Sequence, residues 1–243
     1  MSNSNEVLND LFDYIGYKIY QIKGNFKFSL DSILLAEYTK VKRNTKFILD
    51  MCTGNAPIPL ILTTKTNASI DAVEIQENIA KLATKSVIYN NKQNQINIIN
   101  ADINDIDNYI FNKKYDIITC NPPFFKVDNY DFTNKYEGLS LARHEIKIDL
   151  ERIFMIASNH LNDKGEFYMV HRVARLDEII IMADKYNLRV KNITLVKTKE
   201  SERPSILLIR CVKSSKYGIK IQNTLNIENL KTYQNLFKEE LWN

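Results

Sequence analysis

From Lys46 to about Tyr186 the chain alternates short apolar runs with stretches of helical periodicity, and this alternation restricts the fold more than any other feature. FILDM (47–51) reads as a strand and is followed by a helix near Pro57–Thr64; SIDAVE (69–74) reads as a second strand, followed by a helix over about Glu77–Asn91. On that helix Ile79, Leu82, Ala83, Ser86, Val87 and Asn90 fall on one stripe, with polar residues on the other side. NIIN (97–100) and YDIITC (115–120) supply further strands. Leu150, Ile153, Phe154, Ala157 and Leu161 mark a helix capped by Asp149 and closed near Gly165. EFYMV (166–170) and a helix over Leu176–Tyr186 follow. Strands alternating with helices in this way must pair in parallel and carry helices on both faces. The last two runs, VKNITLV (190–196) and SILLIRCV (205–212), are joined by KTKESERP, which is too short for a crossover helix, so they are expected as antiparallel neighbours. The expectation is an α/β, doubly wound, mostly parallel sheet of seven strands ending in an antiparallel hairpin.

Around this domain, set at residues 46–213, the sequence predicts an N-terminal extension over 1–45, with a hairpin in YKIYQIKGNFKF (17–28) and a helix in LDSILLAEY (30–38). A tail over 214–243 follows, with a helical apolar pattern from Leu225 to Trp242. The longest apolar stretches fall far short of the roughly 20 residues that span a bilayer, and the polar start MSNSNEVLND does not resemble a secretory signal. Cys52, Cys120 and Cys211 form no CxxC pair, which argues against a disulfide framework and a zinc site. The expectation is a cytoplasmic protein without a metal or a membrane, its oligomeric state open with a monomer favoured. Between Lys191 and Lys220 there are eight Lys or Arg against two Glu. That surplus suits a polyanionic partner or a solvated lysine face.

In open parallel sheets ligands bind outside the carboxyl ends of the strands. The first such end reads DMCTGNAPIP (50–59), a turn of small residues that lets a ligand approach the backbone, though with Gly54 as its lone glycine it is a weak dinucleotide signal. The second ends in Glu74, where a carboxylate can accept from both hydroxyls of a ribose. Asp102 follows the third, placed to accept from an adenine amino group. Each carboxylate taken singly also fits an exposed helix cap.

The fourth end is TCNPPFF (119–125). Proline cannot donate to a ladder and restricts the residue before it, so Asn121-Pro122-Pro123 is a stiff, extended corner. Such a corner can serve an exocyclic amine on a purine, whose lone pair is delocalised into the ring. The Asn121 side-chain oxygen and the Pro122 carbonyl can accept both amine hydrogens and return electron density to the nitrogen, and Phe124 can stack on the extruded base. An ordinary strand-ending turn with core phenylalanines is the plainer reading.

The series resembles the class I S-adenosylmethionine-dependent methyltransferases that modify amino groups, with a Rossmann-like fold. Within that class it is most similar to the bacterial tRNA1(Val) adenine-37 N6-methyltransferase family. The resemblance rests on IYQIKGNFKFSLDSILLAEY (19–38), ILDMCTGNAPIPLIL (48–62), VEIQENIAKLATKSVIYN (73–90), CNPPFFK (120–126) and LARHEI (141–146), and spans roughly residues 14–212. It implies S-adenosyl-L-methionine as cofactor and tRNA as substrate. By this resemblance Asp50, Cys52 and Gly54 would lie at the methionine portion, Glu74 and Ile75 at the ribose, and Asp102 and Ile103 at the adenine. Asn121, Pro122, Pro123 and Phe124 would hold the target base, with Asn121 also beside the cofactor. Ser29 and Asp31 would close over the methionine end. Arg143, His144 and Glu145 match a block that suits either RNA contact or a salt-bridged turn. Candidate phosphate contacts are Lys23, Lys27, Lys42, Lys46, Lys126, Arg143, Lys197, Lys199 and Arg203, and residues 126–142 read as a loop that orders on substrate.

One departure stands out. The family's first motif usually carries glycines at alternate positions after the acidic residue, and here Cys52 and Ala56 occupy two of them. Cysteine and alanine are the smallest substitutes available, so the cofactor is expected to fit, and their added volume bears on its affinity alone. Three other readings compete: a guanine-N2 rRNA or protein glutamine methyltransferase, a nucleotide- or RNA-binding module without catalysis, and, from the fold alone, an NAD-dependent oxidoreductase that lacks its GxGxxG turn.

Overall fold

The computed structural model describes residues 5–12, 14, 16–23, 30–123, 149–198 and 202–227. Its centre is a sheet of β3 (Phe47–Met51), β4 (Ser69–Glu74), β5 (Ile96–Asn100), β6 (Tyr115–Cys120), β7 (Leu161–Arg172), β8 (Leu188–Thr198) and β9 (Ile206–Lys213). In space the order is β5-β4-β3-β6-β7-β9-β8. The pairs from β5 to β7 are parallel, and β9 runs antiparallel between β7 and β8. The seven expected strands and the closing hairpin are all present. The chain order reverses between β3 and β6, so the carboxyl ends of these two strands frame the crevice where such sheets bind ligands.

Helices α2 (Pro57–Leu62), α3 (Glu77–Tyr89), α4 (Leu150–His160) and α5 (Leu176–Lys185) connect or follow the strands. The stripe expected on α3 is borne out by burial of Leu82, Ala83, Ser86 and Val87. Asp149 caps α4 by accepting from the Arg152 backbone N–H at 2.8 Å. That helix stops at His160 and passes directly into β7, earlier than the Gly165 stop read from the sequence. The core forms two layers, one on each face of the sheet: Ile48, Ile70, Ile117 and Leu208 on one side, Leu49, Ile118, Phe167 and Ile209 on the other. Strand periodicity of two makes this division, since neighbours along β3, β6 and β9 point to opposite faces.

The extension holds a strand that the sequence reading did not expect. Its strand β2 (Lys18–Ile22) pairs antiparallel with an upstream strand, β1 (Glu6–Asp10); residues 24–28, the other arm of the expected hairpin, lie outside the described residues. β1 was not legible as a strand because EVLND is only half-buried along its length and carries no alternation of buried and exposed residues. The described part of the tail, residues 214–227, is not helical. Residues Lys220–Ile221 (β10) and Leu225–Ile227 (β11) add in parallel to β8, with Leu225 and Ile227 buried, and the rest of the tail lies outside the described residues. Among the described residues no helix is long and apolar enough to cross a membrane.

Candidate active site

The site is built where β3, β4 and β6 end side by side. Asp50, in β3, is fully buried and accepts a 2.6 Å hydrogen bond from the Thr119 hydroxyl of β6 on Oδ1. Its Oδ2 is also buried and makes no hydrogen bond at ordinary geometry among the described residues. Burial pushes the Asp50 carboxyl up to about 7, opposed by the Thr119 and Thr53 hydroxyls and reinforced by the Glu74 charge. A buried acid left half satisfied at a strand end is costly unless a ligand completes it.

The chain then turns through three left-handed residues at alternate positions, Cys52 (φ 61°), Gly54 (φ 58°) and Ala56 (φ 72°). Here the structure gives a reason for glycine that the sequence reading assigned to volume alone. An L-residue at such a φ costs about 1–2 kcal/mol, so Cys52 and Ala56 hold the turn under backbone strain. The turn is kept in place from outside: the Thr53 N–H donates to Val73 O at 2.8 Å, and the Gly54 N–H to Glu74 Oε2 at 2.9 Å. Glu74 Oε1 accepts from the Gln76 N–H at 2.9 Å. Burial raises the Glu74 pKa, and these backbone donors oppose the rise. A β-carbon placed on Gly54 would meet nothing within 4 Å, so the loop presents an open face.

At the third strand end Asp102 is an N-cap. Its Oδ1 accepts from the backbone N–H of Asn104 at 2.9 Å and from the Asn104 side chain at 2.8 Å, which fixes the short 3-10 turn Ile103–Asn108. Ile103 is buried, and Ile75, which follows Glu74 at the end of β4, is exposed. At the fourth end Pro122 is buried, and Asn121 and Pro123 are half-buried. The Asn121 Nδ2 donates to Ser32 Oγ at 2.9 Å. Ser32 and its neighbour Asp31 lie in the first turn of α1 (Leu30–Tyr38), and both are buried. Burial raises the Asp31 pKa while the Arg172 charge at the end of β7 opposes it.

The structure thus gathers Asp31, Asp50, Cys52, Gly54, Glu74 and Asn121 at one edge of the sheet, with Asp102 at the neighbouring strand end. Ser29, Lys27, Phe124, Lys126, Arg143, His144, Glu145 and Lys199 lie outside the described residues. Sequence reasoning missed Ser32 and Thr119, whose hydroxyls reach across from other elements, and Asn55, whose side-chain amide donates to Tyr20 O at 2.9 Å and ties the β1–β2 hairpin to the loop. Asn100 was also missed; its amide donates to Glu74 O and Ile75 O. Single small polar residues carry no periodic signal, so nothing in the sequence marks them before the fold is known.

The basic candidates divide between the two edges. Arg172, Ile206 and Val196 stand in register across β7, β9 and β8 at the site edge, so half-buried Lys197 and exposed Arg203 lie on that side. Exposed Lys23 follows β2, three residues past Tyr20. Lys42 and Lys46 sit at the amino edge, where Lys42 pairs with buried Glu166 at 2.6 Å. Across a five-residue strand that is roughly 17 Å from the site. A cavity of about 340 Å³ lined by Lys42, Glu166, Tyr168, Asn192 and Arg210 also lies at the amino edge, away from Asn121.

Residues 27–191 match the model of the methyltransferase small domain. The chain belongs to that family. Among curated relatives, a tRNA1(Val) (adenine(37)-N6)-methyltransferase of Cytophaga hutchinsonii is 26% identical over 75% of both chains. One of the same name from Flavobacterium psychrophilum is 27% identical over 88% of this chain and 92% of its own. Of the solved structures, one from Agrobacterium tumefaciens described as a predicted O-methyltransferase matches with a TM-score of 0.63 at 17% identity, covering 81% of this chain and 87% of that one. At that identity the likeness speaks for the fold, the Rossmann-like class I methyltransferase arrangement. Family membership removes the oxidoreductase reading.

Proposed function

We propose that this chain is an S-adenosyl-L-methionine-dependent methyltransferase that modifies the exocyclic N6 of an adenine in tRNA, adenine 37 of the anticodon loop of tRNA1(Val). The observation that carries the reading is that Asn121, on its proline corner, shares one crevice with the Asp50–Glu74 loop, so an acceptor for an amine and a nucleoside cradle face the same space. The relatives that match most of this chain bear that activity in their names, which selects adenine in tRNA among the planar nitrogens such a corner can serve.

The cradle fits the cofactor. The unsatisfied Asp50 Oδ2 suits the cationic methionine portion, and the open face at Gly54 leaves room for it. Both Glu74 oxygens accept backbone N–H groups, which hold the carboxylate in place for the hydroxyls of a ribose. Asp102 Oδ1 is committed to Asn104, so Oδ2 is the oxygen placed for an adenine amino group, with Ile103 beside it. When bound, S-adenosylmethionine supplies an electrophilic methyl group. The protein's share is to hold the target nitrogen: Asn121 Oδ1 and the Pro122 carbonyl accept its two hydrogens, oppose delocalisation of the lone pair, and aim it. The proton leaves the nitrogen after the carbon–nitrogen bond forms, so no strong base is required. An adenine in an anticodon loop is already single-stranded and is extruded at lower cost than one in a duplex. Lys23, Lys197 and Arg203, on the site side, are the described cations placed for the surrounding phosphates.

The test is transfer of labelled methyl from S-adenosylmethionine to unmodified total tRNA, with rRNA and protein as parallel acceptors and nucleoside analysis of the product. N6-methyladenosine in tRNA, reduced about 10²–10³-fold in Asn121→Ala with cofactor affinity retained, is the expected result. Label in guanine or glutamine overturns the substrate, and its absence from every acceptor with cofactor bound overturns catalysis.

A further inference from the structure

We infer that Asn55 is a positioning residue whose bond to the N-terminal hairpin holds the 52–56 loop in the shape that receives the cofactor. The loop is poorly suited to keep that shape unaided. Cys52 and Ala56 carry positive φ without being glycine, and residues in that region persist only where their surroundings over-determine them. Within the loop the Ala56 N–H donates to Thr53 O at 3.1 Å, and β4 supplies two ties, at the Thr53 and Gly54 N–H groups. Asn55 supplies the next one. Its Nδ2 donates at 2.9 Å to the carbonyl oxygen of Tyr20, 35 residues upstream in β2. A backbone carbonyl can only accept, so the amide nitrogen must face it and the bond has one orientation.

Tyr20 is a firm anchor for reasons that do not involve Asn55. While β2 pairs in register with β1, its other backbone groups are taken by side chains of α3 and the residue that closes it. The Tyr20 N–H donates to Ser86 Oγ at 2.9 Å, the Lys18 N–H donates to Asn90 Oδ1 at 2.9 Å, and Asn90 Nδ2 donates back to Lys18 O at 2.6 Å. Leu11 and Ile19 are fully buried in the same core layer as Ile58 and Leu62 of α2, the helix that opens directly after Ala56. The hairpin therefore stays seated without Asn55, whereas the loop without Asn55 loses its tie to that seat. Through this one amide the extension bears on the shape of the loop.

The inference rests on the 52–56 loop being part of the cofactor cradle, and its test separates the two. Asn55→Ala and, as a control, Asn90→Ala are compared with wild type in the full chain. Asn90 makes two bonds to the hairpin and none to the loop, so its loss loosens the hairpin at least as much. With the loop tie gone the competent shape is less populated, and the dissociation constant for S-adenosyl-L-methionine, read by calorimetry, is expected to rise about fivefold in Asn55→Ala. In Asn90→Ala it is expected to stay within twofold. Cys52 gives a second readout in the ligand-free protein, since it is half-buried while Cys120 and Cys211 are buried. Its rate of labelling by an aromatic disulfide reagent, located by mass spectrometry, is expected to rise in Asn55→Ala alone. Unchanged affinity or unchanged labelling in Asn55→Ala overturns the assignment, and so does an equal change in Asn90→Ala, which would make the seating of the hairpin the cause. A wild-type protein that binds no S-adenosyl-L-methionine overturns the cradle and the inference together.

Discussion

Replacing Asp50 by Asn should change how stability depends on pH more than it changes stability itself. In the folded ligand-free protein the Asp50 carboxyl is pushed from its ordinary 3.8 up to about 7, with burial as the main cause. Between those values the folded state holds a proton that the unfolded state has lost. Raising the pH through this window therefore removes stability, by about 4 kcal/mol across the full interval. Other groups titrate in the opposite sense. His171, 2% exposed, has its pKa lowered to about 4 by burial and by the Arg175 charge, so its contribution is present above 6.5 and is lost as pH falls toward 4. Glu166, held near 2 by Arg210, Lys42 and Tyr168, contributes above 4.5 and loses that contribution as pH falls through 2. The total curve mixes these terms, but the difference between wild type and Asp50→Asn cancels them. Unfolding by heat, followed by circular dichroism at pH 4.5 and pH 8, is expected to show Asp50→Asn gaining on wild type as pH rises. The relative gain is about 3–4 kcal/mol, on the order of 10 °C in Tm for a chain of this size. A difference that stays flat with pH would show that Asp50 is already ionised near its ordinary value, and the argument that its buried oxygen awaits a ligand would go with it.

Glu74→Gln removes the charge that adds to the rise at Asp50, so the wild-type transition is expected to move to lower pH in this variant, and cofactor affinity to drop; an unmoved transition would deny the coupling. Ala56→Gly relieves strain of about 1–2 kcal/mol but gives up about 0.8 kcal/mol of buried methyl and adds chain entropy worth about 0.4–1 kcal/mol, so urea unfolding should find it near neutral. Ala72→Gly in β4, equally buried but without positive φ, is expected to cost about 1–2 kcal/mol, and equal losses at the two positions would dismiss the strain. Reversing charge at Lys197 and Arg203 together is expected to weaken tRNA binding and lower its salt slope by about 1–2, measured by filter binding across salt concentrations. Lys46→Glu, on the other edge, is expected to leave the slope as it is.

How much of this was legible beforehand follows from what kind of signal each feature leaves. The order β3-α2-β4-α3-β5 was readable because burial on both faces of a parallel strand forces a run such as FILDM, while one-sided burial of α3 forces its stripe. Strand ends were readable too, since Asp50, Glu74 and Asn121 close such runs. β1 was not, because an edge strand of EVLND has no burial pattern strong enough to write itself into composition. The loop 52–56 was half legible. Its small residues announced a tight turn, but the need for positive φ at alternate positions is a backbone property, and cysteine and alanine hide it where glycine would have displayed it.

Charge was the least informative signal, for a physical reason. A count of Lys and Arg along the chain ignores that consecutive ends of a strand stand on opposite edges of the sheet. Lys46 and Asp50 are four residues apart, yet one lies at the amino edge and the other beneath the candidate site. Of the eight basic residues between Lys191 and Lys220, Arg210 is spent on Glu166 at 2.6 Å, and Lys213 donates to the carbonyls of Ser158 and Leu161 at the end of α4. These two serve the amino edge of the sheet and the end of a helix, where a cation satisfies carboxylate and carbonyl oxygen. Lys197 and Arg203 remain on the site side because the β8–β9 turn points there. The surplus that composition reported as one patch therefore includes cations that hold the fold, Arg210 and Lys213, and cations on the site edge of the sheet, Lys197 and Arg203, and on the proposed function it is the latter pair that is placed for RNA phosphates.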